Sequence, residues 1–236
     1  MLILVLSFAF YLFALWKVPL LYCGLGLQIT YLVSRGLELG RLPLVGAHDT
    51  LTFLTASLVT FSIPFTLTLK ERLRFYHFVS ITAALFTVFA LFSSKHNTPL
   101  PPILKTLWFE AHVVLAFLSY ALFGIAAILG LLYLSKQEGL YEGMQYRAIL
   151  IGYCLFTLSM VFGGIWAFLA WGTYWLWTPK ELWTSILWMY YSFFLHARLR
   201  QWWMGKPLAY CSIIGFVIVL FTYLGVSLLM KSSHSF

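Results

Sequence analysis

"AHVVLAFLSYALFGIAAILGLLYLS" fills residues 111–135 without a single charged side chain. A helix that crosses a bilayer needs about 20 consecutive apolar residues, and this run exceeds that. Backbone polar groups find no water in hydrocarbon, so only helices and closed barrels can span it. Barrel strands would alternate apolar and polar positions over about ten residues, and this run does not alternate. Working outward, further uncharged runs lie near 1–16, 18–34, 50–69, 75–94, 148–170, 182–197 and 207–230. The whole 236-residue chain is 62% hydrophobic and only 9% charged, against about 25% charged in soluble domains. Mean hydropathy is +0.90. These runs predict an all-α, polytopic integral membrane bundle of about eight transmembrane helices, forming a single membrane domain over residues 1–236.

The formal charge of +8 is no signal for nucleic acid, because basic residues in such a chain mostly report topology. With both termini outside and "KERLR" (70–74) inside, nine Lys and Arg fall in inner loops and six in outer ones. That lean predicts the outer face for the connection between spans six and seven, and inner positions for His77 and His196. Cys23, Cys154 and Cys211 are far apart inside apolar runs, with no CxxC and no CxxCH. Neither a thiol oxidoreductase nor a c-type cytochrome is therefore expected. The opening "MLILVLSFAFYLFALWK" lacks a basic n-region and a small-residue cleavage site, so it reads as a retained first span.

Between spans six and seven the sequence reads "WGTYWLWTPKELW" (171–183). Six of the ten tryptophans, Trp166, Trp171, Trp175, Trp177, Trp183 and Trp188, fall between 166 and 188. An interfacial aromatic belt is one explanation. Belts, however, place one or two rings at each helix end, whereas this cluster is continuous and broken by Gly163, Gly164, Gly172 and Pro179. Glycine permits close backbone approach to a flat ligand, and proline should end helical geometry locally. A site for a large planar molecule is the other explanation.

These residues carry a resemblance. "WGTYWLWTPKELW" is similar to the tryptophan-rich WWD signature of haem-handling proteins, WGxxWxWDxxE, and matches it at Trp171, Gly172, Trp175, Trp177 and Glu181. The flanks "GGIWAFLAWG" and "LWMYYSFFLHARLR" resemble the CcsA (ResC) type of cytochrome c biogenesis protein. Thr178 stands where that signature has its Asp. The resemblance runs from about Gly40 onward and is specific around 108–134, 163–199 and 223–236.

It implies that 163–183 is a haem-binding segment, with Trp166, Trp171, Gly172, Trp175, Trp177, Thr178, Pro179, Lys180, Glu181 and Trp183 around the macrocycle. It also bears on the histidines. Alone, His112 could be satisfied by Glu110, a backbone carbonyl or water, and His234 in "MKSSHSF" could be an idle tail residue. The resemblance makes these two the outer axial ligands and the catalytic pair. His196, four residues before Arg200, could simply snorkel to the inner interface. By resemblance it is one of two inner haem ligands, the second coming from a CcsB/ResB-type partner, unless His77 substitutes. A structural role is the better reading of His77 itself. His48-Asp49 departs from the family's aromatic and Glu, and His96 reads as solvated.

The implied function is cytochrome c maturation: haem, as b-type substrate and ligand, is carried to the outer face and its vinyls are joined to the CxxCH thiols of apocytochrome c. A haem lyase component is implied, with thiol-reducing thioredoxin-like proteins as further partners. The implied location is a bacterial inner membrane or a thylakoid, with the site on the periplasmic or lumenal side. Rival readings are a membrane b-type cytochrome, a carrier of another flat hydrophobe, and a non-catalytic membrane anchor.

Overall fold

A computed structural model describes residues 1–69, 72–97 and 99–226. The described residues form eight α-helices: α1 (Leu2–Phe13), α2 (Pro19–Leu39), α3 (Ala47–Thr68), α4 (Arg72–Phe92), α5 (Leu107–Lys136), α6 (Gly139–Trp171), α7 (Pro179–Ala197) and α8 (Lys206–Leu220). Short 3-10 turns at Pro102–Leu104 and Gln201–Trp203, and a wider π turn at Phe221–Gly225 that prolongs α8, complete the described secondary structure. Helices α3, α4, α5, α6 and α8 with its π turn are long and apolar enough to cross a membrane. α1 has only 12 residues, about 18 Å at 1.5 Å per residue, and α2 and α7 are long enough but more polar. The chain is thus a polytopic helical membrane protein.

Several helices outrun the apolar runs that predict them. α6 begins at Gly139 rather than near 148, absorbing most of "SKQEGLYEGMQYR". Charges do not break a helix, and Tyr141, Met144, Gln145 and Ala148 are buried on one face, at helical spacing. α2 likewise reaches past Arg35, a basic residue expected in the outer loop. Its guanidinium is buried and tied down, Nε donating to Asp49 at 3.3 Å and a terminal nitrogen, Nη2, to the His96 carbonyl at 3.2 Å and to Asn97 at 2.7 Å.

The chain forms two compact units, Met1–Pro99 and Leu100–Phe236. In the first, α1–α4 form a ring in which sequence neighbours touch and α1 also meets α4. Gly24 lets Tyr11 lie against α2, and Gln28 donates to the Thr52 carbonyl at 3.0 Å. In the second, α5–α8 repeat that ring, with the α5–α6 hairpin its most extensive contact. Small residues set this close approach. A Cβ on Gly130 of α5 would lie 2.8 Å from Gln145 Nε2 on α6, and one on Gly152 of α6 would lie 2.9 Å from the Phe123 ring on α5. The hairpin turns through Gln137, whose left-handed φ of 55° caps α5. Short connections make neighbours antiparallel. One end of the second unit therefore collects the start of α5, the end of α6, the start of α7 and the end of α8.

Candidate functional site

That end holds His112, the sixth residue of α5 (Leu107–Lys136). Thr106 caps the helix by accepting from the Phe109 amide at 3.2 Å. The first turn is fixed by aromatic contacts with the end of α6: Trp108 meets Phe162 edge-on at 5.6 Å, and Phe109 lies 5.2 Å from Trp166. His112 Nδ1 is 2.8 Å from the Ser159 carbonyl oxygen on α6. A carbonyl only accepts, so Nδ1 carries the proton and Nε2 keeps its lone pair. Nε2 makes no hydrogen bond with the described residues and is not among the buried polar atoms lacking a partner.

Beyond α6 the Trp-rich connection is a built loop. α6 closes at Gly172, whose φ of 76° is left-handed, and the Gly172 amide donates to Phe168 at 2.8 Å. Thr178 is the N-cap of α7 and forms a capping box with Glu181. Glu181 is buried, and its Oε2 accepts from the amides of both Leu176 and Thr178 at 2.9 Å. Between those amides sits Trp177, at φ 58°. Left-handed backbone costs an L-residue about 1–2 kcal/mol. The carboxylate gripping the amides on either side holds that conformation, and Trp177 itself is 72% exposed.

The tryptophans divide into two groups. Trp166 is buried and donates its indole N–H to Ile103 at 2.8 Å, with Trp171 edge-on at 4.8 Å. Trp183 packs edge-on against Phe221 at 4.6 Å, and Trp188 donates to Thr157 at 3.0 Å. Trp166, Trp183 and Trp188 thus tie different segments together, whereas Trp171 packs on Trp166 of its own helix. Trp175 and Trp177 have no ring partner among the described residues and remain available.

Three expected roles shift. Gly163 lies under the His112 ring and so serves the protein's own packing, while Gly172 caps α6 at a left-handed φ and a Cβ there would meet nothing within 4 Å. Pro179 begins α7 at its first position instead of ending a helix, since the missing N–H there costs no hydrogen bond. Glu181 turns its carboxylate on the loop. Lys180 stands beside it in the first turn, half-buried. His234 lies outside the described residues. The described end of α8 nevertheless approaches the His112 half of α5, with Tyr223 edge-on to Phe117 at 5.0 Å.

His196 is at the opposite end of the second unit. It is exposed, with Nδ1 2.8 Å from the Ser192 carbonyl of its own helix. Two residues on, the Arg198 guanidinium lies 3.8 Å from Glu142, which also accepts from the Gly205 amide at 3.1 Å. The sequence reading missed this Glu142 junction because it assigned Glu142 to a loop. In the first unit, His48 is buried with both nitrogens engaged, by Tyr31 at 2.6 Å and the Ala90 carbonyl at 2.7 Å. His77 Nε2 is buried without a partner among the described residues. Among those residues no group of three His, Cys, Asp or Glu could hold a bare metal ion.

The Cytochrome C assembly protein family matches residues 44–234, most of the chain. The chain is also 31% identical to the cytochrome c biogenesis protein CcsA of Guillardia theta, over 86% of this chain and 79% of that one. Against the protein of the same name from Chlamydomonas reinhardtii it is 31% identical, over 89% of this chain and 65% of that one. For that of Pyropia yezoensis the figures are 30%, 92% and 85%. A helical membrane bundle with a Trp-rich connection beside a helix-end histidine, matched over this length, identifies the chain as a member of the cytochrome c assembly protein family.

Proposed function

We propose that this protein handles haem during cytochrome c maturation, holding it at the non-cytosolic surface while the vinyls react with apocytochrome thiols. The observation that carries this reading is His112. Its Nδ1–H is fixed on the Ser159 carbonyl and Nε2 meets no hydrogen-bond partner among the described residues, beside a connection in which Trp175 and Trp177 have no ring partner among those residues.

The donor set fits an iron porphyrin. Iron takes a neutral imidazole through one nitrogen, and His112 offers one. Indoles supply broad apolar faces with a single N–H and no charge. His234, outside the described residues, is the proposed second axial ligand. When bound, haem supplies the electrophilic vinyl groups. Each thiol adds across a vinyl C=C, the sulfur bonding to one carbon and the hydrogen going to the other, so nothing is oxidised and nothing leaves. The chain's part is positioning, which is worth up to about 7–11 kcal/mol of barrier at ideal alignment. Trp171, Trp175, Trp177 and the Thr178–Glu181 turn cradle the disc. His112 and His234 hold the iron until the histidine of the arriving CxxCH replaces one of them. His196 is the proposed inner ligand on the route from the cytosolic side, completed by a CcsB/ResB-type partner. Thioredoxin-like proteins keep the thiols reduced. The membrane is a bacterial inner membrane or a thylakoid.

A b-type electron-transfer subunit would place histidine pairs at mid-depth. In the second unit His112 and His196 both stand at helix ends, which disfavours it. The test is holocytochrome c production in a strain lacking its own maturation system, with the CcsB/ResB-type partner co-expressed. Covalent haem on the cytochrome is expected. Haem-loaded protein that yields no holocytochrome would overturn the reading.

A further inference from the structure

We propose that Ser159 and Gly163 are positioning residues that together form the seat of the His112 imidazole; this rests on His112 being an axial ligand, as argued above. The two lie four residues apart on α6 and so share one face, the face that meets α5 at His112.

Ser159 is fully buried, at 1% exposure. Its hydroxyl donates to the His112 carbonyl oxygen at 2.8 Å. The hydroxyl hydrogen being so placed, an Oγ lone pair is free for the ring, and Oγ lies 3.1 Å from Nδ1. The Nδ1–H is thus shared between the Ser159 carbonyl oxygen, at 2.8 Å, and the Ser159 hydroxyl. One residue fixes the proton on Nδ1 and anchors the backbone that carries the ring. Gly163 does the complementary job by absence. A Cβ there would fall 2.6 Å from Nδ1 and 2.9 Å from Cε1, closer than any side chain tolerates. The ring can lie flat on α6 only while position 163 is glycine.

Both contacts are on the Nδ1 side, so neither obstructs Nε2. Hydrogen bonding of the remote nitrogen orients a ligating histidine and raises its basicity, and loss of such a partner typically weakens metal binding about 10–100-fold. A merely structural Ser–Gly pair would change stability without changing the iron.

The experiment loads purified wild-type, Ser159→Ala, Ser159→Thr, Gly163→Ala and His112→Ala proteins with ferric haem. It measures haem affinity, the low-spin electron paramagnetic resonance signal and thermal stability. Gly163→Ala is expected to weaken haem binding about 10–100-fold and to shift the low-spin signal. Ser159→Ala should do so more weakly, because the backbone acceptor survives, and Ser159→Thr should restore the wild-type signal. Should Gly163→Ala not fold, the two Ser159 variants decide alone. Folded Ser159→Ala and Gly163→Ala proteins with wild-type affinity and signal would overturn the seat, provided His112→Ala loses the signal. An unchanged His112→Ala would instead overturn the ligand reading, and the seat with it.

Discussion

His48 and His112 both stand near the start of a long helix, and both touch a backbone carbonyl of a neighbouring helix through Nδ1. They differ at the other nitrogen. His48 Nε2 is met by the Tyr31 hydroxyl at 2.6 Å in a buried network. His112 Nε2 meets nothing among the described residues. A histidine with both nitrogens used is a cross-brace, whereas one held by a single nitrogen is presented to something else. Their surroundings follow suit. Around His48, Arg35 and Asp49 are buried in ionic contact at 3.3 Å. Around His112 lie Ser159, a glycine and aromatic rings, neutral groups that leave an iron free to set the local charge.

The largest effect expected from this comparison is an exchange of phenotypes. His48→Ala should lower stability by about 1–3 kcal/mol, the cost of leaving the buried Tyr31 hydroxyl unpaired, while the Ala90 carbonyl keeps the Ser93 amide at 3.2 Å. The folded fraction should keep its haem. His112→Ala should remove the outer haem with little loss of stability. Thermal unfolding followed at the Soret band and by circular dichroism reads both, and haem loss from folded His48→Ala would break the contrast.

Glu181→Ala comes next. It removes the acceptor of the Leu176 amide and of the Thr178 amide, the second being half of the capping box, and a lost cap is worth about 0.5–2 kcal/mol. Haem content should fall further than this destabilisation explains, because Trp177 loses the turn that presents it. Glu181→Gln keeps an acceptor oxygen and should retain most haem. Equal loss in the two variants would point to direct contact of the carboxylate with ligand instead.

Trp177→Gly should separate function from stability. Glycine accepts φ 58° without strain, so stability should hold or rise by up to about 1 kcal/mol, while haem affinity drops. Parallel loss of both in a melting and titration experiment would mean the indole is a packing residue. The smallest effect belongs to Thr178→Asp. Thr and Asp both serve as N-caps and differ by a few tenths of a kcal/mol, so stability and haem content should stay near wild type. A collapse of either would show that position 178 does more than cap α7.

Composition and run length made the helical membrane class legible, because the physics of the bilayer acts on stretches of sequence. All eight runs correspond to helices among the described residues. The ends were less legible. Gly139–Arg147 joins α6 through burial against neighbouring helices, and no local signal announces that. The signature around Trp171–Glu181 located the loop but could not divide its rings. Trp166 and Trp183 are tied into the scaffold by partners remote in sequence, Ile103 and Phe221. Only tertiary packing separates such rings from Trp175 and Trp177. The resemblance sets Glu181 around the macrocycle, yet its capping-box spacing from Thr178 was visible and could have revealed its backbone role. The Ser159–Gly163 seat had no sequence signal until His112 was set against it.

The most direct measurement is the ferric low-spin resonance of the purified protein carrying His112→Gly, made in a His196→Ala background so that only the outer site contributes, with and without added imidazole. The account predicts that the signal of the His196→Ala parent disappears in the double variant and returns when free imidazole fills the vacated seat. A low-spin signal unaltered by His112→Gly would contradict it.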